Sequence, residues 1–259
     1  MLTGELKALW YTIKKLDRKI IIVFISVAVL QTISYYYTSR RFFRYNYFDQ
    51  LQFDKNVFLY EYIYWFVGDF LTLFILPLLI IKLLLKGKLT GYGLRVGDYK
   101  IGIKYSLIFL AIMIPIVWVV SANKEFINTY PQLSDVKYSW SIFFLFEAGI
   151  LLYMIAWEFI WRGFMLFGLE EKFGYYAVLI QMIPFLILHN GKPAPETFGA
   201  IIAGLALGIL ALKTRSVLYC IITHAGVMFS IDLVSTLRFR ADVYGIGLNS
   251  LFKIFKIIF

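Results

Sequence analysis

Cysteine, histidine and charged side chains are all scarce in this chain. Its 259 residues include one cysteine and two histidines, and only 16% of them are charged. A single cysteine excludes an internal disulfide and any metal cluster held by several thiolates. Cys220 lies inside an apolar run and is predicted to be a small buried hydrophobic residue. With 61% apolar residues, the composition excludes a soluble globular domain and predicts an integral membrane protein.

Apolar runs of spanning length recur along the whole chain. About 20 residues cross a bilayer. Seven runs are candidates: 20–38, 57–85, 103–122, 139–168, 176–190, 197–212 and 216–236. The fifth and sixth are short for a full crossing, so we expect them to tilt or to line a cavity inside the bundle. The predicted fold class is therefore all-α, a polytopic bundle of seven to eight transmembrane helices with an intramembrane polar cavity.

The net charge is +10, and the basic residues that carry it flank the apolar runs. They do not line one face between stacking aromatics, so the expected partner is the lipid bilayer and not nucleic acid. Eleven Lys and Arg residues on one set of loops against six on the other favour a cytoplasmic N-terminus. The first apolar run begins at Ile20 without a following cleavage site, so the first helix is expected to remain.

Two patterns that would indicate other functions are lacking. Gly91, Gly93 and Gly97 do not have the spacing of a nucleotide-binding loop, and they are predicted to form a cytoplasmic turn. The chain has no internal repeat, so an inverted-repeat transporter gains no support.

Ionisable residues within apolar runs are candidate site residues, because each is costly at membrane depth unless it is paired or hydrated. They are Asp69, Glu147, Glu158, Arg162, His189, His224 and Asp232. For Asp69, Glu147 and Asp232 we expect a structural or solvated role. Asp69 and Glu147 have no evident partner in the sequence.

Glu158 and Arg162 are four residues apart, so they share one helix face and the guanidinium can hold the carboxylate. A purely structural salt bridge would have the same spacing. His189 and His224 add chemistry to this pair: a carboxylate and an imidazole can deprotonate a water, and a second imidazole can donate to an oxyanion. Alternatively, Glu158, His189 and His224 are a ligand set for one catalytic zinc ion, although their spacing is not the His-Glu-x-x-His of zinc proteases. The sequence leaves open whether no cofactor or a single zinc ion is used.

The motifs resemble those of the CPBP family (CAAX protease and bacteriocin-processing, or Abi) of intramembrane endopeptidases. Glu158 and Arg162 look like the second glutamate and the arginine of its Glu-Glu-x-x-x-Arg motif. Phe185 and His189 match its Phe-x-x-x-His motif, and His224 matches the histidine of its His-x-x-x-Asn or Asp motif.

The resemblance implies three segments and an activity. Residues 1–138 would hold N-terminal transmembrane helices and a basic loop, 139–236 the catalytic helical core, and 237–259 an interfacial or eighth helix. The implied activity is an intramembrane peptidase of a bacterial cell membrane. It would hydrolyse a peptide bond of a peptide or protein with a membrane-associated segment. Glu158 and His189 would activate water, Arg162 would position Glu158, and His224 would stabilise the oxyanion.

Two residues depart from the family pattern. Trp157 stands at the position of the first glutamate, and Met228 at that of the asparagine. Glu196 is a candidate for the missing carboxylate, or else a helix N-terminal acid. Asp232, two turns after His224, is a secondary candidate that could orient that imidazole only through an intermediary. The departures keep two alternatives open: a non-catalytic scaffold or bacteriocin-immunity-type protein of the same fold, and a small transporter whose Glu and His relay protons.

Overall fold

The computed structural model describes residues 2–258, without the side chains at positions 2, 3, 9, 124, 255, 257 and 258. Residue 1 of the predicted segment 1–138 and residue 259 of the predicted segment 237–259 lie outside this range. Within it the chain is helical and has no β-strand. The α-helices are α1 Leu2–Lys14, α2 Arg18–Ile33, α3 Arg40–Asn46, α4 Phe48–Leu51, α5 Val57–Phe70, α6 Leu76–Leu83, α7 Tyr99–Val120, α8 Lys124–Thr129, α9 Trp140–Glu158, α10 Leu166–Phe173, α11 Tyr176–Ile187, α12 Ala194–Thr214, α13 Leu218–Ala241 and α14 Leu248–Ile258.

Several of these helices join end to end into longer runs. π-helical stretches at Ser34–Thr38, Leu71–Ile75 and Phe159–Met165 lie between consecutive α-helices, and short 3-10 turns occur at Leu89–Tyr92 and Ser134–Lys137. In the described chain, six runs are long and apolar enough to span a membrane: Arg18–Asn46, Val57–Leu83, Tyr99–Val120, Trp140–Phe173, Ala194–Thr214 and Leu218–Ala241. With the shorter α11, these runs confirm the predicted polytopic helical bundle.

One of the two runs predicted to be short is not short. α11 has 12 residues, as expected, but α12 has 21 and is long enough to cross. The prediction for α12 was wrong because it began the run at Thr197. Pro195 and Glu196 are in the first turn of the helix. The N–H groups of a first turn have no intrahelical acceptor, so a proline without an N–H costs nothing there, and an acid is stabilised by the positive end of the helix dipole.

The connections between helices gather at two ends of the bundle. At one end, the turn after α6 is joined to the turn between α12 and α13. Val217 N–H donates to Gly93 O at 3.0 Å and Asp98 N–H donates to Thr214 O at 3.0 Å. Gly93 and Gly97 have φ of +81° and +62°, so the glycine-containing turn predicted here has a backbone that favours glycine.

At the other end, the segment between α7 and α9 covers the bundle. Tyr62 Oη donates to Gln132 O at 2.8 Å, and fully buried Arg238 donates to Ser121 Oγ at 2.9 Å and to Trp118 O at 2.8 Å. α14 follows at this end, where Trp118 Nε1 donates to Ile246 O at 2.9 Å. The last segment is therefore helical, and its placement at the membrane interface stays a prediction.

The helices that carry the candidate residues pack closely through glycines. A Cβ on Gly204 of α12 would lie 2.7 Å from Met182 Cγ of α11, and one on Gly149 of α9 would lie 2.5 Å from the ring of Phe66 of α5. Helices in a membrane associate through van der Waals packing and not through the hydrophobic effect, and small residues at their contact let the backbones approach closely. Gly204 thus lets α11 and α12 pack closely together.

Candidate active site

Glu158 is the last residue of α9 and is fully buried. One of its oxygens, Oε1, accepts from Arg162 Nη1 at 3.0 Å and from His224 Nδ1 at 2.6 Å. The other oxygen, Oε2, has no protein partner among the described residues. The π-helical stretch Phe159–Met165 follows directly and carries Arg162, a local geometry that is common at functional sites. The predicted Glu158–Arg162 pair therefore exists and gains a third member, His224.

His224 is the contact that ties α13 to α9. Because a carboxylate only accepts, the bond to Glu158 assigns the proton to Nδ1 and leaves Nε2 as the free ring nitrogen. The His224 side chain is 15% exposed, whereas those of Glu158 and Arg162 are at 0%. His224 thus lies between the buried ion pair and the accessible side of the site.

His189 follows α11 and is fixed by the backbone of its own helix. Its Nδ1 lies 2.7 Å from Phe185 O, so the carbonyl accepts from Nδ1–H and Nε2 is again the free nitrogen. Burial lowers the pKa of His189 below its ordinary value, with the bond to Phe185 acting in the opposite direction. Its imidazole is therefore neutral at neutral pH and can accept a proton at Nε2.

The Phe185 ring lies at the centre of the group. Its centroid is 4.5 Å from that of His189 and 6.2 Å from that of His224. The Arg162 guanidinium lies over the same ring at 4.0 Å, a cation–π contact that holds the charge in an apolar setting. The phenylalanine of the second motif thus packs against three polar members of the site, His189, His224 and Arg162.

Trp157 borders this group on the side of His189. Its side chain is 8% exposed, and its ring centroid lies 6.2 Å from that of His189 and 6.0 Å from that of Phe185. The residue that departs from the family pattern therefore stands beside the candidate base as an apolar wall.

Comparison with known protein families supports this grouping. Residues 136–230 match the family model described as Type II CAAX prenyl endopeptidase Rce1-like. This segment matches the CAAX proteases. The predicted resemblance is thereby confirmed over the part of the chain that contains Glu158, Arg162, His189 and His224. The comparisons with curated proteins and with solved structures gave no match.

The secondary candidates lie outside the group formed by Glu158, Arg162, His189 and His224. Glu196 accepts from Tyr130 Oη at 2.6 Å, and Lys192 Nζ donates to the same tyrosine at 3.1 Å. Asp232 is hydrogen-bonded to Glu147, and both carboxyl groups have one buried oxygen without a protein partner. Neither Glu196 nor Asp232 contacts Glu158, and Glu147, for which the sequence shows no evident partner, is paired with Asp232.

Asp69 has the structural role expected of it, and it has several partners. Its oxygens accept from Ser34 Oγ at 2.7 Å, Thr38 Oγ1 at 2.6 Å and Trp65 Nε1 at 2.8 Å. The carboxylate thus fixes the π-helical stretch Ser34–Thr38 to α5. The sequence does not reveal Ser34 and Thr38 as its partners, because they lie in another helical run.

One buried acid was missed altogether. Glu61 is fully buried in α5, where its two oxygens accept from Arg40 Nε at 2.5 Å and Arg44 Nε at 2.9 Å. The signal was available: Glu61 interrupts the second apolar run, and Arg40 and Arg44 are four residues apart at the end of the first. This triad joins two helices and contains none of the candidate residues Glu158, Arg162, His189 and His224.

The residues do not fit the alternative of a metal centre. In the described part of the chain, no three His, Cys, Asp or Glu side chains converge closely enough to hold a metal ion.

A cleft reaches this region from the surface. It has a volume of about 550 Å³ and is bordered by Trp157 and by Leu188, the residue before His189. Trp65, Tyr153 and Trp157 form its aromatic wall, with Trp65 and Tyr153 ring centroids 4.7 Å apart and those of Tyr153 and Trp157 5.6 Å apart. Arg40 and Arg41 also border it.

Proposed function

We propose that this chain is an intramembrane peptidase of the CAAX protease type that hydrolyses a peptide bond of a membrane-associated substrate. The observation that carries the proposal is that His189 and His224 both pack against Phe185 inside the helical bundle and that His224 is bonded to the buried Glu158. Buried ionisable groups with free acceptor atoms are costly in a membrane protein, and a hydrolytic site is a reason to retain them.

In this mechanism His189 and Glu158 act on one water molecule. The water oxygen attacks the carbonyl carbon of the scissile bond, and its proton passes to Nε2 of neutral His189. The free Oε2 of Glu158 orients the water, and Arg162 positions the carboxylate through Oε1. The proton on His189 then goes to the amine that leaves when the peptide bond breaks.

His224 stabilises the oxyanion that this attack creates. With Nδ1–H bonded to Glu158, its Nε2 can donate only when the ring is an imidazolium. The adjacent carboxylate of Glu158 offsets that charge. Glu158 therefore orients the water for His189 through Oε2 and stabilises the imidazolium of His224 through Oε1. A positioned donor to an oxyanion accounts for about 100- to 1,000-fold in rate.

The cleft beside Trp157 supports an entry route for the substrate. Its aromatic wall can bind an apolar segment next to His189, and its opening between helices suits a substrate held in the bilayer. We further propose that the catalytic core lies in residues 139–236, with the helices of 1–138 and the segment 237–259 around it.

The test uses the purified full chain in lipid nanodiscs with a library of fluorogenic membrane-anchored peptides. Glu158→Ala and His189→Ala should each reduce cleavage at least about 100-fold, the scale of acid–base catalysis. Glu171→Gln, which changes a carboxylate at 82% side-chain exposure, is the matched control and should keep activity. Full activity in both site variants would refute the proposal. Metal analysis of the same preparations tests the zinc alternative through a loss of bound zinc in His189→Ala.

A second candidate, a non-catalytic scaffold of the same fold, is favoured by one observation. Trp157 places an indole beside His189 at the position of the first glutamate of the family motif. If this candidate is correct, wild-type protein cleaves no member of the library and Trp157→Glu gains cleavage. Cleavage by the wild type would eliminate it.

We also propose that the N-terminus is cytoplasmic. Cys220 is buried and is the one cysteine of the sequence, so a cysteine introduced at Lys7 can be labelled with little background. A membrane-impermeant maleimide should fail to label Lys7→Cys in intact cells and should label Asp54→Cys, at the other end of the bundle. The reverse pattern would invert the orientation.

A further inference from the structure

A cavity of about 570 Å³ lies at the end of the bundle where α2 begins and α6 ends, away from the candidate active site. It is bordered by the first residues of the span Arg18–Asn46 and by the residues that follow the span Val57–Leu83. The cavity is therefore at the depth where spanning helices leave the hydrocarbon and meet lipid headgroups.

Four basic side chains border this cavity: Arg18, Lys19, Lys86 and Lys88. Lys19 Nζ is paired with Glu171 at 3.0 Å. Arg18, Lys86 and Lys88 are exposed, and within residues 2–258 they form no ion pair. A concave site with three unneutralised cations attracts an anion more strongly than the same charges on a flat surface, because low-dielectric walls focus the field.

The backbone at Lys86 adds a second observation. Its φ is +51°, in the left-handed region that costs a side-chain-bearing residue about 1 kcal/mol or more. The turn is held by Gly87 N–H, which donates to Ile81 O at 2.8 Å. A glycine would suit the position of Lys86 better, so the turn carries a strained lysine at the cavity instead of an unstrained residue.

The other side of the cavity is apolar. Ile22, Leu83, Leu84, Leu85 and Phe167 border it next to the basic group. A soluble phosphate makes no favourable contact with an apolar surface, whereas a lipid presents a charged headgroup and acyl chains together. Basic pockets between membrane helices bind anionic headgroups in this manner.

We propose that this cavity binds the phosphate-bearing headgroup of an anionic membrane lipid. Arg18, Lys86 and Lys88 contact the phosphate, and the acyl chains lie along Leu83, Leu84 and Ile22. The site is independent of the proposed peptidase activity, since it uses none of the residues of that mechanism.

Native mass spectrometry of the full chain in detergent tests the proposal with added phosphatidylglycerol or phosphatidylcholine. Wild-type protein should retain one phosphatidylglycerol in preference to phosphatidylcholine. In Lys86→Asn/Lys88→Gln, where asparagine tolerates the left-handed backbone, the affinity for phosphatidylglycerol should fall by roughly 25-fold, since each basic residue near an anionic surface contributes about fivefold.

The control is Lys82→Gln/Lys100→Gln, which removes two exposed lysines near the same end that do not border the cavity. It should retain phosphatidylglycerol like the wild type. An equal loss in both double variants would mean a general surface charge and would overturn the proposal, as would the lack of a preference between the lipids. Glycerol phosphate that binds as tightly as the lipid would also overturn it, because the apolar side would then be unused.

Discussion

His224 Nδ1 and Glu158 Oε1 lie 2.6 Å apart and join α13 to α9 across 66 residues of sequence. The same carboxylate oxygen is bonded to Arg162, whose guanidinium is fully buried. One buried acid therefore holds a candidate catalytic histidine and a buried cation together. Its loss should disturb both the folding energy and the chemistry, and the two effects can be separated.

Removal of either partner of the Glu158–Arg162 pair should be costly, because it leaves a buried group without its counter-charge. We expect Glu158→Gln and Arg162→Met each to lose about 3–5 kcal/mol of stability. The double variant should lose less than the sum, since it leaves neither charge. Thermal unfolding of the four proteins in one detergent measures the coupling. The pair Glu170–Arg215, whose side chains are 28% and 40% exposed, provides the comparison cycle, with an expected coupling below about 1 kcal/mol. Equal coupling in both cycles would contradict the buried ion pair.

The activity should depend on pH through His189. Burial lowers the pKa of His189 from its ordinary value of 6.5, so the neutral base predominates at pH 6.5. Cleavage should therefore stay high down to pH 6.5 and should fall only at lower pH, as His189 takes up a proton. The folded state binds this proton less readily than the unfolded chain. The stability from this group is thus complete above pH 6.5 and is lost as the pH falls through the folded pKa.

His189→Gln distinguishes this titration from others at the site. Lys192, Glu196 and His224 also act electrostatically on His189, and all three remain in the variant. The fall in stability below pH 6.5 should be smaller in His189→Gln than in the wild type, as measured by unfolding at a series of pH values. An unchanged pH profile of stability would show that another group is responsible.

The sequence predicts the local part of this site and not the pairing between helices. Glu158 and Arg162 were paired correctly because a spacing of four residues fixes one face of a helix. The bond from Glu158 to His224 depends on the depth and rotation of α13 relative to α9, and on the π-helical stretch after Glu158, which sequence periodicity does not reveal. Glu147 and Asp232 were missed as partners for the same reason. The spans themselves were predictable because length and apolar composition decide them, and the error at α12 came from its proline-containing first turn.

The hydrogen bond between Glu147 and Asp232 should tolerate an amide at Glu147. Two carboxyl groups bonded to each other need one proton between them, and an amide supplies its own donor. We therefore expect Glu147→Gln to keep the unfolding temperature near that of the wild type. Glu147→Ala should lose about 1–3 kcal/mol, because Asp232 then remains buried without its partner. Equal losses in the two variants would mean that the bond does not contribute.

The turn that joins the helices at the end of the lipid cavity should depend on Gly97 and not on Gly91. Gly97 has φ of +62°, and a Cβ there would collide with the carbonyl oxygen of Thr214. The same oxygen accepts from Asp98 N–H, a bond that ties the start of α7 to the end of α12. Backbone atoms cannot move aside as a flexible side chain can, so Gly97→Ala should destabilise the protein by several kcal/mol. Gly91 lies in the same turn with no atom within 4 Å of an added Cβ, which makes Gly91→Ala the matched control. Thermal unfolding should separate the two variants clearly. A Gly97→Ala protein as stable as Gly91→Ala would mean that the turn between α6 and α7 does not hold α12 in place.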